Sequence, residues 1–187
     1  MDEETVGLKN GDSVNEDCCM YRMVHSVFMD KNQIGKPKLS AFKPHINDDH
    51  KLSLDYDKLT TPEDSLGRFG ATKKNNGFKN IEDFSIFSIH VPFVCEELKK
   101  LISQIEYNPI ENNPLIYGIP NNASHSLAHF IASPDYEPEI LARLWTHAKD
   151  RNIEFNLDAA KDVADYLISL YGEPQAEPPD EEPDSLL

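Results

Sequence analysis

No stretch of this chain approaches the roughly 20 consecutive apolar residues needed to cross a bilayer, so the sequence offers no helical membrane span. Cysteine is scarce. Cys18, Cys19 and Cys95 form an odd set with two neighbours adjacent, which does not suit a secreted disulfide framework and points to a reducing cytoplasm. Glycine is scarce as well, at 8 of 187 residues, so few backbone positions can approach a phosphate closely. There is no phosphate loop, dinucleotide fingerprint, G-x-S-x-G elbow or paired C-x-x-C motif. The N-terminal stretch lacks an apolar run and does not read as a signal or transit peptide. No internal repeat recurs at solenoid periods.

What the chain has in excess is negative charge: 33 acidic against 18 basic side chains, a formal net charge of −15. Residues 1–17 hold six acids against Lys9, and residues 173–187 hold six acids and no base. Both segments are too polar to fold alone, and four prolines in the last fifteen residues bar a continuous helix there. The expected organisation is therefore a disordered acidic tail over 1–17, a single α+β domain over 18–172 and a disordered Pro-rich acidic tail over 173–187. That last tail reads as a solvated end or as a docking peptide closing on Leu186 and Leu187. Inside the domain, residues 31–79 carry ten bases and six acids, while 80–172 carry fourteen acids and six bases. Such polarisation suits self-association or the docking of a charged protein partner. It argues against nucleic acid, because the bases are interleaved with Asp48, Asp49, Asp55 and Asp57.

Periodicity gives the elements. Residues 19–29 read as a central strand with two apolar faces, 39–42 and 51–55 as short extended pieces, and 84–91 as a strand rich in aromatic and β-branched types. Thr61-Pro62-Glu63-Asp64 is a helix start, with a capping hydroxyl, proline in the first turn and acids at the positive end of the dipole; that helix runs towards Gly70. Residues 71–80 read as a loop. From Pro92 the spacing of Leu98, Leu101, Ile102 and Ile105 predicts a helix. Residues 108–114 form a turn-rich loop, 115–118 a short extended piece and 124–132 a strand. The helical part, 136–172, divides into a helix over 136–150 and a second one capped by Asn156 and stopped by Gly172, with 152–155 a loop or brief strand between them. The fold class is α+β: a mixed or antiparallel sheet from the N-terminal half with the C-terminal helices packed on it.

Several residues could carry chemistry. Arg22 and His25, near one end of the first strand, could hold a phosphate or a ribose, with Ser40, Ser53 and Asp55 as polar neighbours. On an unbroken strand residues i and i+3 face opposite ways, so Arg22 and His25 share a pocket only across a bulge or a sheet edge. Otherwise Arg22 is a snorkelling arginine and His25 a hydrogen-bonded core residue. His125 and His129 have metal-ligand spacing only on a helix, and this segment reads as a strand. Cys18 and Cys19 diverge too far to share a metal. Cys95 in a helix first turn could have a lowered thiol pKa, but no base is assigned beside it, and it reads as a small buried apolar residue. The sequence suggests no metal site and no cofactor.

The order YRMVHS, LSAFKP, LSLD followed by LTTPEDS, and NNASHS resembles a group of small bacterial proteins of no assigned activity. Their pattern is R-x-x-H, S-x-A-F-x-P, L-S-x-D and N-x-x-H. Here it rests on Arg22, His25, Ser40, Phe42, Pro44, Leu52, Ser53, Asp55, Asn122 and His125. A looser likeness is to NAD-using ADP-ribosyltransferases, some of which open with a similar strand; the late glutamate of those enzymes has no counterpart here. The leading expectation is a non-catalytic cytoplasmic accessory protein acting through protein–protein contact, in a setting such as bacterial toxin–immunity or antiviral defence. The alternative is a small transferase or hydrolase acting on NAD or a nucleotide, with catalytic candidates Arg22, His25, Ser40, Asp55 and His125 lining one cleft.

Overall fold

The computed structural model describes residues 7–44, 50–74, 77–111, 120–131 and 137–171. Six strands form one sheet: β1 (Cys19–His25), β2 (Lys51–Tyr56), β5 (Phe84–His90), β6 (Ile102–Tyr107), β7 (His125–Phe130) and β8 (Asn152–Ile153). Their order is β6-β7-β2-β1-β5-β8, and every pairing is antiparallel. The helices are α1 (Pro62–Gly70), α2 (Val91–Glu97), α3 (Glu137–Ala148) and α4 (Leu157–Tyr171). The α+β class is thus observed, with the sheet drawing strands from both halves of the chain.

Alternation along β1 feeds two cores. Met20 and Val24 join a cluster with Phe42, Leu52, Leu54, Phe87, Ile89, Ile140 and Leu144, beneath α2 and α3. Tyr21 and Met23 point the other way, towards Leu66, Ile81, Ile86 and Ala160, beneath α1 and α4. The α1–α4 contact is close because Gly67 has no side chain: a Cβ there would lie 2.6 Å from Val163 Cβ and 2.8 Å from the Ala160 carbonyl oxygen. Both helix starts are capped as expected. Thr61 Oγ1 accepts from the Asp64 N–H, and Asn156 Oδ1 accepts from those of Asp158 and Ala159.

Four expectations change. The first strand ends at His25, whose side chain caps a 3₁₀ turn over Ser26–Phe28. Residues Leu39–Phe42 are 3₁₀ rather than extended, held against α3 by Trp145 Nε1–H donating to the Pro37 carbonyl. The loop over 71–80 contains a two-stranded ribbon, β3 (Lys73–Lys74) with β4 (Gly77–Phe78). The helix from Pro92 stops at Glu97, and Ile102–Tyr107 is β6. A register shift between Ile102 and Gln104 explains the misleading spacing. The irregularity lets Ile102 and Ile105, three apart, both become buried, which mimics a helical stripe.

The N-terminal segment also departs from its expectation. Val14 is 1% exposed and belongs to the main core. Its N–H donates to the Ile105 carbonyl, and the Gly11 N–H to that of Tyr107, so residues 11–14 run along the free edge of β6. The polar sequence does not fold alone; it is ordered by an edge strand that offers unpaired backbone groups. The tail over 173–187, the Gly172 stop and the piece over 115–118 lie outside the described residues, as does most of the 45–50 loop.

Candidate functional site

β1 pairs with β5 along its whole length, from Cys19 opposite His90 to His25 opposite Phe84. Its pairing with β2 covers only Met20 opposite Tyr56 and Tyr21 opposite Asp55. β2 meanwhile stays paired with β7 from Lys51 to Asp55. The sheet therefore opens between Arg22–His25 and the start of β2, and a cavity of about 760 Å³ lies at the opening. This internal edge is what the Arg22/His25 spacing required.

All five candidates line the cavity: Arg22, His25, Ser40, Asp55 and His125. Arg22 spans the gap. Its Nε–H donates to the Ala41 carbonyl and an Nη1–H to the Ser53 carbonyl, each at 3.1 Å. Side-chain donors thus take over where backbone pairing between β1 and β2 ends. Ser40 is exposed at the mouth.

Asp55 is 3% exposed and does not reach outward. Its Oδ1 accepts from Asn122 Nδ2 at 2.7 Å, and its Oδ2 accepts from the Ser65 hydroxyl. Asn122 Oδ1 in turn accepts from the Ser124 N–H at 3.0 Å and its hydroxyl at 2.6 Å. The carboxylate therefore ties α1 to the loop that leads into β7, and its place is structural: it positions the wall that carries His125.

Residues that sequence reading did not single out complete the lining. Arg68 comes from the last turn of α1; Lys43 and Lys79 come from flanking loops. Arg68 Nη2 donates to the Thr60 hydroxyl, while its Nε is buried with no acceptor among the described residues. Asp55 is the one carboxylate among the described lining residues, and it is already engaged. An acidic protein thus encloses a cavity lined with cations. One wall is aromatic: Phe69 and Phe84 meet edge to face at 4.8 Å, His25 meets Phe84 at 4.9 Å, and the Lys79 ammonium sits 4.0 Å over the Phe69 ring. Tyr21 lies at the floor, its phenol held above its usual pKa first by burial and then by Asp57. The helix-terminal position of Arg68, about two turns after Thr61-Pro62, was the only sequence signal for this wall.

The two histidines with metal-ligand spacing do not converge on one point. His125 pairs with Asn108, and His129 faces Glu106 at 2.5 Å, so the two histidines serve different partners. Among the described residues, no group of three or more His, Cys, Asp or Glu could hold a metal ion. Burial pushes the Cys95 thiol up, with Glu96 acting in the same direction, so the helix start does not activate it. Cys18 is pushed up to about 12, mainly by burial. No family model matches the chain, and neither a curated protein nor a solved structure matches it, so the reading of this cleft rests on its own residues.

Proposed function

We propose that the protein binds a small anionic, ring-bearing ligand of the nucleotide class in this cleft and acts on it as a hydrolase or transferase. The observation that carries the reading is the convergence on one cavity of Arg22 and His25 with Ser40 and His125, which lie far from them in sequence, while Asp55 holds the wall between them. Arg22, Lys43, Arg68 and Lys79 favour an anion there, and phosphate oxygens suit guanidinium donors. The aromatic wall of Phe69 and Phe84 suits contact with a planar base. The volume of about 760 Å³ falls within the usual range for such ligands. No cofactor is required by this reading, since the ligand itself supplies the reacting group. The test is calorimetry and thermal shift on the full chain with ADP, NAD and inorganic phosphate. Binding of ADP or NAD, with a melting temperature that rises with concentration, is the expected result. No response to any of the three at millimolar concentration overturns it.

A second reading, docking of another protein or of a second copy, is favoured by one surface. Val27, Phe28, Ile34 and Leu39 are exposed apolar residues on the 26–42 segment beside the cleft mouth, interspersed with Lys31, Lys36 and Lys38. Such a patch is a common mark of an interface. Light scattering on the purified chain, with and without Ile34→Asp, separates self-association from a monomer. A cytoplasmic setting belongs to both readings and is supported by three free cysteines. Among the described residues, no helix is long and apolar enough to cross a membrane.

A further inference from the structure

The two histidines of the cleft are fixed by the backbone in opposite senses. Nδ1 of His25 accepts the Val27 N–H at 3.1 Å. A backbone N–H can only donate, so this nitrogen carries the lone pair and the proton of the neutral ring sits on Nε2. His125 is the reverse. Its Nδ1 lies 2.7 Å from the Asn108 carbonyl oxygen, which can only accept, so Nδ1 carries the proton and Nε2 the lone pair. His25 is further held by the Phe84 ring at an interplanar angle of 87°. His125 is set opposite Asp55 in the β2–β7 ladder.

We infer that this pair sorts ligands by the polarity of their groups. His25 Nε2–H donates to an anionic oxygen, and His125 Nε2 accepts from a hydroxyl of the same ligand. The inference rests on the nucleotide reading of the cleft and sharpens it: the ligand carries a free hydroxyl, as a ribose does, beside its phosphate. The two rings also differ in what they can become. A second proton on His125 enters at Nε2 and leaves the Asn108 bond intact. A second proton on His25 has to enter at Nδ1, against the Val27 N–H, and destroys the cap of the 26–28 turn. His125 is therefore the ring able to receive a proton from the ligand hydroxyl, and His25 acts as a fixed donor.

The variants that isolate this are asparagines. In His25→Asn the amide oxygen replaces Nδ1 as acceptor for Val27, and asparagine is a good cap, so the turn persists while the cleft donor is lost. In His125→Asn the amide nitrogen still donates to Asn108, while Nε2, the acceptor assigned to the ligand hydroxyl, is lost. The first measurement is two-bond ¹H–¹⁵N spectroscopy of the ¹⁵N-histidine-labelled full chain, each ring assigned by its variant. The expected result is an Nε2–H tautomer for His25 and an Nδ1–H tautomer for His125. The second compares ADP with its 2′,3′-dideoxy analogue. Removing the ribose hydroxyls should weaken binding several-fold in the wild type and leave it unchanged in His125→Asn; His25→Asn should weaken both ligands alike. Equal tautomers in the two rings, or an equal penalty for the dideoxy analogue in wild type and His125→Asn, overturns the inference. Opposite tautomers with no ADP binding remove the nucleotide reading and keep the donor–acceptor division.

Discussion

Tyr21 and Asp55 form the last backbone pair between β1 and β2, and the sheet opens immediately beyond them. The cleft depends on that pair twice over. Asp55 ends the ladder and, through Asn122 and Ser65, also holds the two walls that flank the gap.

Asp55→Asn keeps the size of this side chain but sets an amide N–H against one of its two donors, Ser65 or Asn122. A buried donor left without its acceptor costs about 1–3 kcal/mol, and that loss is the expected change in urea unfolding. Ligand binding should weaken in parallel, because the loop before β7 is no longer fixed. Unchanged stability would show that the network does not hold the walls.

Gly67→Ala sets two effects against each other. Alanine is the better helix former by about 1 kcal/mol. Its Cβ, however, would lie 2.6 Å from Val163 Cβ and 2.8 Å from a backbone oxygen. Overpacking of this kind costs roughly 1–3 kcal/mol and should win, since a backbone atom cannot swing aside. The expected outcome is a lowered melting temperature; a raised one would mean that α1 and α4 are more loosely packed.

Arg68 is predicted to grip the ligand. A hydrogen bond to a charged group contributes about 1.5–3 kcal/mol, so Arg68→Gln should weaken ADP binding about tenfold or more. Arg68→Lys should fall between them, because a point charge does not replace a planar fork. Calorimetry with folding checked by circular dichroism reads this directly. Unaltered affinity in Arg68→Gln would remove Arg68 from the site.

His147 provides a pH signature away from the cleft. Its ring stacks on Phe93 at 3.9 Å, and its Nε2 accepts the His90 N–H at 3.1 Å. Burial first, then Arg151 and His90, lowers its pKa from 6.5 to about 4. The folded state therefore holds this ring neutral while the unfolded state binds a proton, so its contribution is present above pH 6.5 and is lost as pH falls towards 4. Partial exposure keeps the size below the roughly 3 kcal/mol of an unscreened shift. The window above pH 4.5 is the informative one, because Glu16, Glu63 and Glu82 have pKa values lowered from 4.5 and lose their own contributions below it. His147→Gln retains an acceptor for His90 and should flatten the stability curve between pH 4.5 and 6.5. A curve with the same slope as the wild type would assign the effect to another group.

Local signals in the sequence determined a good deal. Two apolar faces from Cys19 onward and the aromatic and β-branched run over 84–91 mark two strands. Thr61 and Asn156 mark two helix starts, and the residue types of Arg22, His25 and His125 carry the chemistry wherever the fold puts them. What the sequence could not settle depends on partners distant in the chain. Whether Arg22 and His25 meet is decided by β2 leaving β1 after Tyr21. Whether Ile102–Tyr107 is a strand is decided by β7 and by an irregularity that counterfeits a helical period. The order of residues 11–14 comes from an open edge at β6, and the tautomers of His25 and His125 from carbonyl and amide groups that no side-chain pattern records. Periodicity reports the face a residue prefers, a local property; sheet register, the end of a ladder and the backbone group opposite a ring nitrogen exist only once remote segments have packed.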